Sequence, residues 1–398
     1  MEQLFQKSNF LIRNIRQKLI RSAMDMIDWS DRLIGVLGAR GTGKTTLLLQ
    51  YAKEHFSTGK EVLYITLDDI YFTEHKLVDV VATFNATGGK LLLLDEVHKY
   101  PDWAREIKNC YDFYPELKII FTGSSIMDIL RQNADLSRRA IQYQLPGLSF
   151  REFLYFSGIA QLQAVSFEDI LTKHLQLSGD IASVVKPLAH FADYLRYGYY
   201  PFFNENLNTY SIRLEQMVKV VIENDLQFVE GFDPHNTRKI YQLLYILSAN
   251  VPFKPNISKL SEKIGITRNT LLQYIHYLEK AKLINTLETA GKSVSILQKP
   301  DKIFLENTNL NYTLSPGNAD KGSIREAFFL NQVKNAKYTV HLPVAGDFLI
   351  NGQYTIEVGG KDKAFKQTNN ISQSYIAADD IETGFGNKIP LWLFGMMY

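Results

Sequence analysis

The chain has 398 residues, of which 45% are hydrophobic and 22% charged, as is typical of a soluble globular protein. At roughly 100–200 residues per domain, this length indicates two to four domains. Cys110 is the only cysteine, which excludes an intrachain disulfide and a cysteine-based metal site and favours a cytoplasmic location. The apolar runs are far shorter than the ~20 residues of a membrane span, and the N-terminal pattern does not match a signal peptide. We therefore expect no membrane partner.

The formal net charge is only +2, but the charge is unevenly distributed along the chain. Residues 236–300 contain ten Lys or Arg and three Glu, which gives this segment +7 and leaves −5 for the remainder. Such an asymmetry inside a near-neutral protein indicates an anionic partner for one domain.

Helices and short apolar strands alternate over the first part of the chain. The predicted elements are a helix at 11–28, a strand at 32–37, a helix at 45–56, a strand at 62–67, a helix at 77–84, a strand at 91–94, a helix at 103–111 and strands at 117–121 and 141–145. This alternation predicts an α/β fold with a parallel sheet covered on both faces.

After Pro146 the pattern changes. Residues 150–232 are aromatic-rich and predicted to be mainly helical, and residues 237–296 are predicted to form three helices and a hairpin. From residue 299 onward strands and helices mix. These shifts in pattern divide the chain into four predicted parts, at 1–155, 156–235, 236–300 and 301–398.

A phosphate-binding loop is predicted between the first strand and the helix that follows it. The sequence fits G-x-x-x-x-G-K-[ST], in which glycines let several backbone N–H groups face one anion at a helix N-terminus. Lys44 is expected to reach the β- and γ-phosphates, and the Thr45 hydroxyl to bind Mg²⁺. The predicted ATP-binding residues are Gly38, Ala39, Arg40, Gly41, Thr42, Gly43, Lys44, Thr45 and Thr46. This loop binds phosphates, so the base of the nucleotide stays open.

Two carboxylates follow the predicted strand of four leucines. Asp95 is predicted to hold Mg²⁺ together with Thr45, and Glu96 to orient or deprotonate the attacking water. A hydrolase needs the second acid, whereas a protein that only binds nucleotide does not. The alternative is a pair of solvated turn carboxylates.

The strand that ends at residues 121–125 is predicted to lie between the other two, as in ATPases with an acid pair of this kind. Its polar end is expected to contact the γ-phosphate or the water through Ser124, with Thr122 as second choice, although helix capping by Ser124 is compatible with this role. Arg139 is predicted to reach the γ-phosphate in the same or a neighbouring subunit, with a solvated surface arginine as the alternative. His98 is left out of the catalytic set because a lone histidine is more often structural.

These motifs together resemble those of a prokaryotic ATPase family. The phosphate loop, the run 95–103, the strand end 121–125 and the segment 148–154 carry the resemblance. The chain is similar to proteins with an AAA-type (AAA_14-like) ATPase domain followed by a DUF4143 domain, and to the archaeal-type ATPases. The resemblance covers most of the chain and is strongest over about residues 30–155. It implies an ATPase core, a winged helix and a nuclease-like C-terminal domain.

A helix-turn-helix with a wing is predicted inside the basic segment. Residues 257–264 and 267–281 are expected to be helices, with Thr267 as the N-cap of the second. The residues predicted to face double-stranded DNA are Arg268, Asn269, Gln273 and Lys292. Winged helices in ATPases also mediate protein contacts, so a protein partner or a homo-oligomer is the alternative.

The C-terminal residues Glu326, Asp347 and Glu357 occur in the order of the PD-(D/E)XK nuclease fold, in which Glu, Asp and Glu-x-Lys converge on Mg²⁺. The lysine of that motif is absent, because Gly359 stands in its place and Lys361 follows two residues later. We therefore predict a degenerate fold retained for binding or packing, with an active nuclease using Lys361 as the alternative.

The sequence as a whole predicts a cytoplasmic Mg²⁺-dependent ATPase. Its ATP state is expected to reposition the C-terminal parts on DNA or on a protein partner. One alternative is a slowly hydrolysing nucleotide switch that recruits a protein, and another is an ATP-gated nuclease.

Overall fold

The computed structural model describes residues 1–398 apart from 57–58, 126–135, 137, 230–231, 250–251, 292–297, 318–319 and 365–372. The chain forms two compact units: residues 1–146 with 223–232, and residues 147–222 with 233–398. Residues 223–232, which the sequence placed in the helical region, thus pack with the first unit. Across the described residues, every helix is too short or too polar to cross a membrane.

The first unit contains a five-stranded sheet whose paired strands are all parallel. Its helices and strands are α1 (Glu2–Asn14), α2 (Ala23–Met26), β1 (Leu33–Gly38), α3 (Lys44–His55), β2 (Val62–Thr66), α4 (Leu77–Ala86), β3 (Leu91–Asp95), α5 (Trp103–Phe113), β4 (Lys118–Ser124) and β5 (Ile141–Gln144). The strand order β2-β3-β4-β1-β5 puts β4 between β1 and β3, as predicted.

Both faces of this sheet are covered. Leu92 and Leu94 of β3 belong to one apolar cluster, which includes residues of α4 and α5. Leu91 and Leu93 belong to a second cluster, which includes residues of α2 and α3. Because side chains alternate across a strand, the two clusters lie on opposite faces. The four consecutive leucines of β3 reflect this double burial.

The helix predicted at 11–28 is wrong in its bounds. α1 begins near the N-terminus and ends at Asn14, and only a short helix follows. The chain in between lies along α3, where the Gln50 side-chain amide donates to the carbonyl oxygens of Arg16 (2.8 Å) and Leu19 (2.9 Å). A side chain therefore satisfies carbonyls that a continuous helix would bond internally, and helical periodicity in the sequence does not reveal this competition.

The second unit begins with helices, as predicted for residues 150–232, and ends in a mixed sheet. Its helices and strands are α6 (Phe150–Phe156), α7 (Phe167–Val184), α8 (Pro187–Tyr197), α9 (Tyr210–Glu223), α10 (Thr237–Ser248), α11 (Ile257–Ile264), α12 (Arg268–Lys280), β6 (Ile284–Leu287), β7 (Lys302–Leu305), α13 (Thr308–Leu314), α14 (Lys321–Asn335), β8 (Val340–His341), β9 (Phe348–Ile350), β10 (Tyr354–Gly359), β11 (Ser374–Ala378) and β12 (Lys388–Pro390).

The three predicted helices are present as α10, α11 and α12. β6 pairs antiparallel with β7, which lies beyond the bounds 237–296 predicted for the hairpin. Thr267 caps α12 by accepting a hydrogen bond from the backbone N–H of Thr270, as predicted. Phe253, between α10 and α11, forms an antiparallel bridge with Ile303 of β7. Apolar residues of this segment are buried, namely Leu271, Leu272, Ile275, Leu278 and Leu283.

The C-terminal sheet has the order β12-β11-β10-β9-β8. β10, β11 and β12 run parallel, whereas β9 is antiparallel to β10 and β8 is antiparallel to β9. α14 packs against β10, and β10 pairs with β9, so residues of these three elements lie close together.

Candidate nucleotide-binding site

The phosphate loop connects the end of β1 to the start of α3. Gly41 and Gly43 have φ angles of 81° and 92°, in the left-handed region that favours glycine. Gly38 is required for a different reason, since a Cβ there would lie 2.4 Å from the carbonyl oxygen of Leu145. The glycines of the motif therefore allow the backbone conformation that leads from the loop into the N-terminus of α3.

Lys44 begins α3 and is buried, with its ammonium inside the loop. Its Nζ donates to the carbonyl oxygens of Gly38 and Ala39, both at 2.9 Å. Burial lowers the pKa of Lys44, while the nearby carboxylates, with Glu96 the strongest, act in the opposite direction. A phosphate in the loop would add the anionic partner that this buried ammonium requires. Of the remaining loop residues, Ala39 and Thr42 are buried, and Thr46 is exposed on α3.

Asp95, the last residue of β3, is held by three hydroxyl donors. Its Oδ2 accepts hydrogen bonds from Thr45 (2.7 Å) and Tyr64 (2.8 Å), and its Oδ1 accepts one from Thr122. Burial, and then the Asp95 charge, raise the pKa of the Tyr64 phenol, so Tyr64 stays a donor. The predicted metal pair, Thr45 and Asp95, thus lies in direct contact and offers the oxygen ligands that Mg²⁺ prefers.

Glu96 adopts a left-handed backbone conformation with φ 53°, which is unusual for a non-glycine residue. Its backbone N–H donates to the hydroxyl of Thr122 at 3.1 Å. Its carboxylate Oε2 lies 3.5 Å from Nη1 of Arg40 and 3.6 Å from Nε2 of His98. The turn therefore points the second acid away from the strand and toward the phosphate loop.

The two polar residues at the end of β4 have different contacts. Thr122 bonds both the Asp95 carboxylate and the Glu96 backbone. Ser124 is buried, lies opposite Gly38 in the β1–β4 register, and donates its backbone N–H to Nδ1 of His98 at 3.4 Å. The contact of Ser124, the first choice from sequence, with the γ-phosphate or the water stays a prediction, and the residue that bonds both acids is Thr122, the second choice.

Arg139 pairs with an acidic side chain of the first unit. Its guanidinium forms a two-point ion pair with Asp112 near the end of α5, with Nε–Oδ1 at 2.9 Å and Nη2–Oδ2 at 3.0 Å. A role of Arg139 at the γ-phosphate stays a prediction.

Three contributors to the site were not assigned to it from sequence. Tyr64 supports Asp95 from the neighbouring strand, His98 contacts Glu96, and Asp225 lies 3.5 Å from Nη1 of Arg40 through Oδ1. The pairing of β2 with β3 would have pointed to Tyr64, because this pairing puts Tyr64 beside the strand that ends in Asp95. Asp225 carries no sequence signal, since it comes from the distant segment 223–232.

Residues 30–154 match the sequence model of the AAA_14 family, an AAA domain. The match includes the phosphate loop and both acids and supports an AAA-type P-loop ATPase. Residues 188–321 match a second model, a domain of unknown function called DUF8612. The expectation of a DUF4143 domain was wrong, because this part of the chain matches DUF8612 instead.

The chain is 31% identical over 286 residues to the uncharacterized protein MJ1637 of Methanocaldococcus jannaschii. The alignment covers 68% of this chain and 60% of the archaeal protein. Among solved structures, PCH-2 of C. elegans has 17% identity and a TM-score of 0.24, covering 39% of this chain and 44% of PCH-2. AMPPCP-bound DnaA from Aquifex aeolicus has 19% identity and a TM-score of 0.28, covering 65% of this chain and 85% of DnaA.

The predicted DNA-facing residues of α12 are exposed. Arg268, Asn269 and Gln273 all have exposed side chains, whereas the opposite face of the helix is buried. Lys292 lies outside the described residues. The three described side chains therefore share the solvent face of one helix, as the sequence predicted.

The C-terminal acids lie near one another but have lysine partners. Glu326 of α14 is 3.4 Å from Nζ of Lys302, and Oε2 of Glu357 is 3.5 Å from Nζ of Lys363. Burial raises the pKa of Glu326, and the charge of Asp347 raises it further. Over the residues that the structure describes, no three His, Cys, Asp or Glu side chains are placed to hold a metal ion.

The lysine next to these acids differs from the predicted one. Lys361 is exposed, and its carbonyl oxygen accepts a hydrogen bond from Lys388. The Lys363 side chain instead lies over Gly359, where a Cβ would meet its methylenes at 2.8 Å. Lys363 thus fills the space of the missing motif side chain, which corrects the expectation for Lys361.

Proposed function

We propose that this protein is a Mg²⁺-dependent ATPase. The observation that carries the proposal is the convergence of Lys44, Thr45, Asp95 and Glu96 at the carboxyl ends of β1 and β3. The match of residues 30–154 to an AAA domain supports ATP as the nucleotide. A protein that only binds nucleotide needs the first three residues but has no use for a second acid held beside the loop.

Each of these residues has a distinct task. The loop N–H groups and Lys44 bind the phosphates, and Lys44 exchanges its two carbonyl contacts for phosphate oxygens. Thr45 and Asp95 provide oxygen ligands for Mg²⁺, which neutralises phosphate charge when bound. Glu96 accepts a proton from the attacking water as the water oxygen bonds to the γ-phosphorus and the bond to ADP breaks.

We further propose that residues 236–300 form a winged helix that binds double-stranded DNA. The support is the order of three helices and a hairpin, the strand bridge at Phe253 and the +7 charge of the segment. The exposed face of α12 supplies Arg268 for phosphates or bases and Asn269 and Gln273 for base edges. In this proposal ATP turnover repositions the second unit on DNA.

The proposed architecture keeps four parts. These are the ATPase domain at 1–155, the helical region at 156–235, the winged helix at 236–300 and a degenerate nuclease-like domain at 301–398. Residues 223–232 are the exception, because they pack with the ATPase unit. A cytoplasmic location is proposed from the cysteine content alone.

Steady-state ATP hydrolysis tests the function directly. We expect wild type to turn over, Glu96→Gln to lose turnover, and Glu74→Gln, a change at an exposed acid of the same unit, to behave as wild type. Each protein is measured with and without double-stranded DNA. Faster turnover with DNA supports the coupling. Nucleotide binding without hydrolysis in wild type would favour the switch that recruits a protein.

One observation favours the alternative of an ATP-gated nuclease. Lys363 places its ammonium 3.5 Å from Glu357 and fills the position of the missing motif lysine. Plasmid cleavage with Mg²⁺ or Mn²⁺ tests it. If this alternative is right, Lys363→Met abolishes cleavage while Lys361→Met, a matched change at an exposed lysine, does not. If wild type leaves the plasmid intact, the interpretation of this domain as a degenerate nuclease fold stands.

A further inference from the structure

The chain between α9 and α10 returns to the ATPase unit. Residues 223–232 pack with residues 1–146 and form a short 3-10 turn at Asp225–Phe228. Asp225 and Leu226 are fully buried there. Burial of the Leu226 side chain favours docking of the turn. Burial of the Asp225 carboxylate does not, because its desolvation is unfavourable.

The Asp225 carboxylate faces the phosphate loop and the second acid. Its Oδ1 lies 3.5 Å from Nη1 of Arg40 and 3.9 Å from Nε2 of His98. Among the described residues, neither oxygen of this carboxylate accepts a hydrogen bond. Asp225 is also close enough for its charge to raise the pKa of Lys44. Such a buried charge is tolerated where nearby cations compensate it, and here those cations belong to the nucleotide site.

Arg40 is shared between two carboxylates. Its Nη1 lies at 3.5 Å from both Oε2 of Glu96 and Oδ1 of Asp225. With Asp225 in place, the guanidinium is drawn to a point between the two acids. Without that charge, Arg40 would pair with Glu96 alone and compete with water for its carboxylate.

His98 provides a second route from the same segment to Glu96. Its Nδ1 accepts the backbone N–H of Ser124, so the neutral ring carries its proton on Nε2. That nitrogen lies 3.6 Å from Oε2 of Glu96 and also faces Asp225. The ring of Phe228 packs edge-on against His98, with centroids 5.8 Å apart. Asp225 and Phe228 thus hold the ring from the side of the returning segment.

We propose that Asp225 is a positioning residue for ATP hydrolysis, acting on Glu96 through Arg40 and His98. The inference rests on the proposed ATPase function. Asp225 balances the attraction of Arg40 to Glu96 and orients the Nε2–H of His98, so that the Glu96 carboxylate is held ready for the water. Because residues 223–232 continue at both ends into the second unit, turnover depends on docking of a segment from beyond residue 146.

The first test compares kcat and KM for MgATP in the full chain. For Asp225→Asn, which keeps the size of the side chain, we expect kcat to fall about tenfold or more with KM changed less than about threefold. Asn224→Ala, at the exposed neighbouring residue, is the matched control and should behave as wild type. Phe228→Leu, which removes the ring contact to His98, should lower kcat by a smaller factor.

A double-mutant cycle separates positioning from a general structural effect. If Asp225 acts through Arg40, the double variant Asp225→Asn, Arg40→Gln is no slower than the slower single variant, because one route is removed twice. Rate losses that multiply would overturn the route through Arg40. A loss of structural integrity alone would lower thermal stability and ATP binding together, which the melting temperature and KM report.

The outcomes also distinguish a failure of the positioning role of Asp225 from a failure of the proposed ATPase function. If Lys44→Ala is inactive and Asp225→Asn turns over at the wild-type rate, the positioning role fails and the ATPase stands. If wild type hydrolyses no ATP, both fail. Should Asp225→Asn not fold, Phe228→Leu decides, since an unchanged kcat in that variant would show that the returning segment does not act on the site.

Discussion

The hydroxyl of Thr45 donates a hydrogen bond of 2.7 Å to Oδ2 of Asp95. This bond joins the first turn of α3 to the carboxyl end of β3, two elements that are far apart in the sequence. It brings together the two oxygen ligands expected for Mg²⁺, and the Tyr64 and Thr122 hydroxyls hold the same carboxylate. The proposed metal site is therefore preorganised by a network rather than by the motif residues alone.

Replacing Lys44 by Ala should abolish ATP binding as well as turnover. The ammonium is buried inside the loop, where it donates to the carbonyl oxygens of Gly38 and Ala39. We expect at least about a hundredfold loss in kcat/KM, the effect of removing a charge-assisted contact to a phosphate. Binding of a fluorescent ATP analogue checks it, with Lys60→Ala, at an exposed lysine of the same unit, as the control. Unchanged affinity would contradict the site.

Thr122→Val should impair hydrolysis more than Ser124→Ala. The valine keeps the shape of threonine but leaves Asp95 without one donor and the Glu96 N–H without its acceptor. Each buried group left unpaired costs about 1–3 kcal/mol, so both stability and kcat should fall. Ser124 reaches His98 through its backbone, which alanine retains. Hydrolysis rates and melting temperatures of the two variants give the comparison, and a larger effect at Ser124 would restore the original preference.

The stability of the second unit should depend on pH through Glu306. Burial raises the pKa of Glu306 to about 7 from an ordinary value of 4.5. Between these two values the folded protein binds more protons than the unfolded chain, so the free energy of unfolding falls as pH rises through the window. The total change is roughly 3 kcal/mol at most.

Glu306→Gln removes this titration and should flatten the fall between pH 5 and pH 8. Denaturant unfolding at both pH values measures it. Glu262→Gln, at an exposed residue of the same unit, is the control and should keep the wild-type dependence. Parallel behaviour of Glu306→Gln and wild type would show that another group titrates.

Arg268→Ala should weaken binding to double-stranded DNA and reduce its salt dependence. Loss of one phosphate contact lowers the slope of log K against log salt by about 0.9. Gln273→Ala, on the same exposed face, should leave the slope unchanged. Arg105→Ala, at an exposed arginine of the first unit, controls for net charge. Fluorescence anisotropy at several salt concentrations measures both quantities, and equal slopes for Arg268→Ala and Arg105→Ala would argue against the proposed face.

The sequence alone predicted the phosphate loop, the acid pair, the strand order around β4 and the three helices within residues 237–296. These features arise from local requirements: glycine at left-handed positions, apolar runs in strands buried on both faces, and a side-chain cap at a helix start. Thr267 shows this, because its capping bond involves only a residue three positions away. Local rules failed after Asn14, where side chains of α3 took the carbonyls of the predicted helix.

Only the tertiary structure decided how the acids are supported and which residues join them. Asp225 approaches Arg40 because the chain returns to the first unit at residues 223–232, a long-range contact with no periodicity or motif to announce it. Lys363 lies over Gly359 for a similar reason. A turn of the chain brings the Lys363 side chain back over Gly359, which has no side chain of its own. The chemistry of a motif fixes the residue type at each of its positions. A supporting partner needs only a suitable charge and a side chain long enough to make the contact, and many positions in a sequence meet that condition.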